Sequence, residues 1–316
     1  MKVYVSQGHE KGIGLEVFLK SCLMASPDLL RSVKLVAFRE SVAATLKSMR
    51  VPFDVGADHL SFAGSSLDVQ WLEEVTFSQS FTSLQLCMRL AESGGVLYTL
   101  PTSKDQFPSD AGHTEYFRTF YRKPELGMFF SSPKLQVLLL SDHVPVSRLA
   151  HDLTEDLIYG RLREALSTLG RWAWPVDRVL VSGLNPHAGE MGLIGDEDQR
   201  VRAAITRLKP KFKIDILGPL PGDTMLMEQK TPADLLVYLF HDQGLGVFKS
   251  VQGFIGSNIT LGLPYPRLSP DHGTSFGLYG KNLADYRGCS YSLAEATSLL
   301  KKVPYGKNSG HQSQGP

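Results

Sequence analysis

Along the chain, short runs of consecutive apolar residues alternate with longer stretches whose apolar positions recur at helical spacing. KVYVS (Lys2–Ser6) predicts a first strand, and GLEVFLKSCLMA a helix after a glycine turn. VKLVAF and SVAATLKSMR repeat the pair. SLQLCMRLAESG, with Gly94 and Gly95 at its end, is a third helix, and GVLYTL the strand after it. Farther on, LQVLLLS, RVLVSG, FKIDIL and LLVYLF read as strands. SRLAHDLTEDLIYGRLREALSTLG carries the longest helical pattern and SLAEATSLLKKV the last. Continuously apolar strands expect cover on both faces, so the predicted fold class is α/β, a mainly parallel sheet between helices. The 316 residues suit two domains, but no repeat, linker or composition change marks a boundary.

Three of the apolar runs deliver a histidine just past their C-terminal ends. LQVLLLSDH reaches His143, RVLVSGLNPH reaches His187 and LLVYLFH reaches His241. This edge of an open α/β sheet is where ligands bind. Neutral imidazole is a ligand for zinc and related ions, and three histidines with one open position form a catalytic site rather than a closed structural one. One strand-end histidine more commonly just finishes a loop; three together favour a metal centre. Asp142 and Asp242 flank two of them, and Asp223, in GPLPGDT, follows another strand. Carboxylates there would orient imidazoles or move protons, although Asp223 also suits a turn.

Composition narrows the partners. The chain is 42% hydrophobic and 21% charged, with a net charge of +1, so no basic excess points to nucleic acid or a membrane surface. No run approaches the ~20 apolar residues of a membrane span. Cys22, Cys87 and Cys289 are scattered, which fits a reducing, cytoplasmic compartment. The tail 305–316 is polar and Gly/Ser-rich and is expected to be disordered.

Anion-binding features follow the strands. PTSK, ending at Lys104, succeeds VLYTL, and GHTE precedes the helical YFRTFYRK, with Thr114 as the expected cap of a helix whose N–H groups favour an anion. Lys249, Asn258 and Arg267 lie beyond the third histidine. Lys and Arg are natural phosphate partners, though each alone is more commonly a solvated charge. GHEKGIGLE holds a lone Gly-x-Gly, best read as a strand-to-helix turn; no dinucleotide fingerprint and no P-loop occurs.

PTSK, DAGHTEYF, GLNPHAGEMG, GPLPGDT, HDQG, NITLGLP and DHGT resemble, in this order, the motifs of the 4-hydroxythreonine-4-phosphate dehydrogenases of vitamin B6 biosynthesis. The resemblance covers nearly the whole chain and is strongest from Gly112 to Thr274. It implies an isocitrate/isopropylmalate dehydrogenase-like fold of two α/β/α domains flanking a cleft: 1–125 plus 255–304 as one, and 126–254 as the other, with the metal histidines and the dimer interface. It implies a homodimer with a shared site, in which His143, His187 and His241 hold one divalent metal (Zn, Co, Mn or Mg) and His241 comes from the partner. Substrate contacts fall on His113, Thr114, Lys249, Asn258 and Arg267. DHGTSFGLYGKNLADY resembles a non-Rossmann NAD (or NADP) loop in which His272, Gly273, Thr274 and Asp285 match, with Ser275 where the wider group has alanine.

The implied reaction is oxidation of 4-phosphooxy-L-threonine at C3, then decarboxylation to 3-amino-2-oxopropyl phosphate. Asp242, Asp223 and Lys104 are the candidate proton acceptors, with no choice among them. Where the family resembles Gly-Glu-Pro-Ala-Gly-Ile-Gly-Pro, this chain has Gly8-His9-Glu10-Lys11-Gly12-Ile13-Gly14-Leu15, which bears on affinity rather than on chemistry. Three alternatives stand beside this reading: a paralogue oxidising a phosphorylated four-carbon sugar acid, a metal-dependent hydrolase, and a degenerate family member that only binds a phosphorylated ligand, for which the altered GHEKGIGLE speaks.

Overall fold

A computed structural model describes residues 1–108 and 112–303. The tail from Tyr305, and Asp110 and Ala111 of DAGHTEYF, lie outside these residues.

The described strands are β1 (Lys2–Ser6), β2 (Val33–Phe38), β3 (Phe53–Val55), β4 (His59–Phe62), β5 (Ser65–Leu72), β6 (Gly95–Thr99), β7 (Gly127–Ser131), β8 (Gln136–Leu139), β9 (Arg178–Ser182), β10 (Asp215–Leu220), β11 (Leu235–Tyr238), β12 (Ser257–Leu261) and β13 (Arg267–Pro270). They form one sheet in the order β10-β9-β11-β8-β7-β12-β13-β6-β1-β2-β5-β4-β3. The expected parallel pairing holds on both flanks: β10, β9, β11 and β8 run parallel, as do β13, β6, β1, β2 and β5. The centre departs from it, because β8, β7, β12 and β13 pair antiparallel. The chain physics is simple. Only residues 132–135 separate β7 from β8, far too few for the dozen or more that a parallel crossover needs.

The parallel strands are apolar because helices cover both faces. Val3 and Val5 of β1, Leu35 of β2, Val179 and Val181 of β9 and Leu235 and Val237 of β11 are all fully buried in the main core. The long helical pattern after His143 is two helices, Leu149–Asp152 and Glu155–Arg171, and the side chain of Thr154 caps the second by accepting from Leu157 N at 3.3 Å. Among the described residues no helix is long and apolar enough to cross a membrane.

One local feature sets up the site. β11 stops at Tyr238, and HDQG opens a helix, His241–Gln252, rather than a turn. Its Gly244 packs against the sheet so closely that an added Cβ would lie 2.5 Å from Leu139 Cδ2 and 3.0 Å from Tyr238 Cβ. Glycine thus seats the helix directly on β8 and β11.

Candidate active site

Because β9, β11 and β8 are adjacent and parallel, their C-terminal ends share one edge. His143 follows β8, and His241 opens the helix after β11. Their ring centroids stand 5.5 Å apart with planes inclined by 40°. Both face a cleft of about 960 Å³ that is also lined by Lys104, His113, Thr114, Lys249, Asn258, Arg267, His272 and Gly273. One concavity therefore gathers two expected metal ligands, all five expected substrate contacts and two expected cofactor contacts.

His187 is placed otherwise. It is exposed in the turn Pro186–Gly192, where residues 187–191 all have positive φ, and it does not line the cleft. Among the described residues no group of three His, Cys, Asp or Glu side chains stands in ligating geometry. Within one chain, His241 stands beside His143, and His187 is the outlier. β9 lies one strand beyond β11, which carries its loop away from the pair. The pair itself fits a divalent ion. Zn–N bonds are about 2.0–2.1 Å, short enough for two rings at this spacing to share one ion. The His143 ring is not engaged in any hydrogen bond to the described residues, and the His241 Nδ1 is held by Asp242 at 2.7 Å. That contact fixes the imidazole, as ligating histidines require.

The anion features converge on Arg267. Its side chain is only 3% exposed. It donates to Thr99 Oγ1 at 2.5 Å and Thr260 Oγ1 at 3.2 Å, and its guanidinium lies 5.6 Å from the Phe117 ring. No carboxylate among the described residues pairs with it. Burial pushes its pKa down to about 9, still above neutrality, so it remains a cation. A buried cation without a counter-charge is costly, and a bound anion relieves that cost.

The helix His113–Tyr121 points its first turn at the same cleft. Its N-cap is Gly112, not the expected Thr114, and no side chain caps it, leaving first-turn N–H groups for an anion. Burial, followed by the charge of Arg267, pushes His113 well below the ordinary histidine value, so its imidazole is neutral. Lys249 pairs with Asp271 at 3.1 Å, and Asn258 Oδ1 is buried without a partner.

The carboxylates sort differently from their sequence neighbours. Asp142 is buried and paired with Arg118, with Arg161 3.9 Å away. It has no hydrogen bond to His143. Asp223 sits exposed in a turn outside the cleft. Of the three candidate proton acceptors, Lys104 lines the cleft and Asp242 only touches a residue that does. Arg118, Arg161 and Asp271 are cleft residues that motif reading passes over. A signal existed for Arg161, which interrupts the stripe of buried Ile158, Leu162 and Ala165.

The segment 271–286 borders the cleft. His272 Nε2 is buried without a partner, an orphan that a cofactor polar group would satisfy. The Thr274 carbonyl accepts from Ile13 N at 3.0 Å, and Asp285 is chelated by Arg287, with Nη2–Oδ2 at 2.6 Å. Glu16 accepts from Ala284 N at 2.9 Å and from Lys20 at 2.7 Å, tying the segment to the first helix. Gly8 has φ +72°, and a Cβ there would meet the Pro101 carbonyl at 2.6 Å, as a tight strand-to-helix turn demands. The unusual His9 stacks edge-on to Phe276 at 4.8 Å, so the altered motif touches this segment and not the imidazole pair.

Known proteins resemble this chain in sequence and in fold. The profile of the family described as pyridoxal phosphate biosynthetic protein PdxA matches residues 21–298. A 4-hydroxythreonine-4-phosphate dehydrogenase of Zymomonas mobilis is 31% identical, over 96% of this chain and 98% of that protein. A D-threonate 4-phosphate dehydrogenase of Cupriavidus necator is 29% identical, over 94% of this chain and 97% of that protein. The crystal structure of 4-hydroxythreonine-4-phosphate dehydrogenase from Klebsiella pneumoniae superposes with a TM-score of 0.79 at 26% identity, covering 95% of this chain and 98% of that one. With dehydrogenases as its named relatives, the hydrolase alternative falls away, and the chain belongs to the PdxA family.

Proposed function

We propose that the chain catalyses NAD-dependent, divalent-metal-dependent oxidation of 4-phosphooxy-L-threonine at C3, followed by decarboxylation to 3-amino-2-oxopropyl phosphate, in pyridoxal 5'-phosphate biosynthesis. The observation that carries this reading is the juxtaposition, in one cleft, of the buried and unpaired Arg267 with the imidazole pair His143 and His241.

Arg267, His113, Thr114 and Asn258 bind and orient the phosphate end. Fixing the reacting carbon in this way contributes up to ~7–11 kcal/mol in favourable intramolecular cases. His143 and His241 would hold the divalent ion, and Asp242 keeps the His241 ring oriented. Such an ion would acidify the C3 hydroxyl and stabilise negative charge on that oxygen during loss of CO2. Lys104 lines the cleft and is our candidate to take the hydroxyl proton. His272, Gly273, Thr274 and Asp285 would hold the nicotinamide cofactor against C3.

We read the active form as a homodimer in which His187 of a second copy completes the metal site. Exposed Met191 and Leu193 beside His187 support a covered surface there. We divide the chain into 126–254, whose strands β7 to β11 lie side by side, and the remainder. The three cysteines, all free and buried, suit a cytoplasmic setting.

A second reading has support in the similarity to the Cupriavidus necator protein: a phosphorylated four-carbon sugar acid as substrate. Turnover of purified protein with each acid, followed by NADH absorbance, decides between them. Faster turnover of 4-phosphooxy-L-threonine supports the first reading, and faster turnover of the sugar acid the second.

A further inference from the structure

We propose that Arg118 and Arg161 form a second anion-binding end of the cleft and receive the carboxylate of the phosphorylated substrate. The inference rests on the functional reading above and deepens it.

Arg118 and Arg161 come from different helices, His113–Tyr121 and Glu155–Arg171, and both line the cleft that holds His143 and Arg267. Between them lies the single buried carboxylate Asp142, paired with Arg118 and 3.9 Å from Arg161. Glu115 is 3.6 Å from Arg118 but is largely in solvent. The two guanidiniums therefore share one buried carboxylate, and the other carboxylates near them, Glu115 and Glu125, are not buried.

Donor use points the same way. Arg161 spends one hydrogen bond, from Nη1 to the Leu140 carbonyl at 2.5 Å, and its other N–H groups find no acceptor among the described residues. Arg118 gives Nη2 to the Leu126 carbonyl at 2.8 Å, and its Nε is buried without a partner. A guanidinium carries five donors in a fixed fork that matches a carboxylate. Burial, and then the charge of Arg118, lower the Arg161 pKa against the opposing pull of Asp142, Glu115 and Glu125.

A substrate with a phosphate at one end and a carboxylate at the other needs two cationic ends in its site. Arg267 serves one. It is held by Thr99 and Thr260 from the sheet, whereas Arg118 and Arg161 sit beside Asp142, next in sequence to His143. The carboxylate is thereby held near the imidazole pair, and the phosphate is left to Arg267 and the first turn of the helix.

The test is calorimetric binding without NAD, so that no turnover intervenes. Two ligands are compared: 4-phosphooxy-L-threonine, and 3-amino-2-hydroxypropyl phosphate, which lacks the carboxylate. Arg161→Met is expected to weaken the first about 10- to 100-fold, the scale of a lost charge-assisted contact, and to leave the second unchanged. Arg161→Lys should keep part of the affinity for the first, and Arg267→Met should weaken both ligands. Thermal melting confirms that each variant is folded. If Arg161→Met binds both ligands like the parent, or loses both equally, the second anion end is overturned while the functional reading stands. If the parent binds neither, both fall.

Discussion

His143 and His241 stand with ring centroids 5.5 Å apart, although one follows β8 and the other opens the helix after β11. The parallel pairing of those two strands makes them neighbours, and Gly244 lets the helix sit close enough to complete the pair. His187, on the loop after the adjacent strand β9, stands apart from them, and in the proposed homodimer a second copy supplies the missing ligand.

That division of ligands predicts a complementation pattern. His143→Ala, His187→Ala and His241→Ala should each be inactive and folded. Co-expressed His143→Ala and His187→Ala chains should recover about a quarter of parental turnover, because half the dimers are mixed and each mixed dimer keeps one intact site. His143→Ala with His241→Ala should recover none. Recovery with that second pair instead would return His241 to the partner's role.

Arg267→Met should weaken phosphorylated ligands by about 10- to 100-fold, with little loss in NAD affinity. The ligand-free protein should lose little stability, or gain some, since an uncompensated buried cation is removed while the apolar stem is kept. Titration with each ligand and a melting curve check both halves. Equal loss of phosphate ligand and NAD would count against the assignment.

The His113 imidazole is held neutral by burial and by Arg267, so its folded pKa lies below its unfolded value of about 6.5. Below that pH the unfolded chain binds the extra proton and the folded chain resists it. Stability should therefore fall as pH drops from about 7 to 5 and be retained above this range. His113→Gln should flatten that part of the melting-temperature profile. An unchanged slope in the variant would assign the loss to other groups.

Gly244→Ala tests how packing positions the site. The new methyl would press on Leu139 and Tyr238, so about 1–3 kcal/mol of stability should be lost and the helix bearing His241 displaced. Metal affinity should fall with stability. Parental metal affinity in a destabilised variant would show that the helix position matters less than argued.

Much of this was legible in the residues. The buried parallel strands announce themselves as unbroken apolar runs, and three of them point to one edge through their terminal histidines. The hydrophobic pattern could not place those histidines relative to one another, since that depends on strand order. β5 alternates buried and exposed positions, a period-two signal, but β3 and β4 are too short to stand out. The antiparallel centre is hidden because β7 and β12 are buried almost throughout, as parallel strands are, so no alternation of exposure marks them. Arg118 escaped because a cation on a helix looks solvated until the fold buries it beside Asp142, and Arg161, though it interrupts an apolar stripe, gives no hint of its partner. Their pairing is a property of two distant helices.

The most direct measurement is NADH formation by the purified protein supplied with NAD and 4-phosphooxy-L-threonine, with and without a metal chelator, beside the unphosphorylated amino acid. Absorbance should rise with the phosphorylated substrate alone, stop on chelation and return when a divalent metal is restored. Equal turnover of the unphosphorylated compound, or turnover indifferent to the chelator, would contradict a centre built from Arg267 and the imidazole pair.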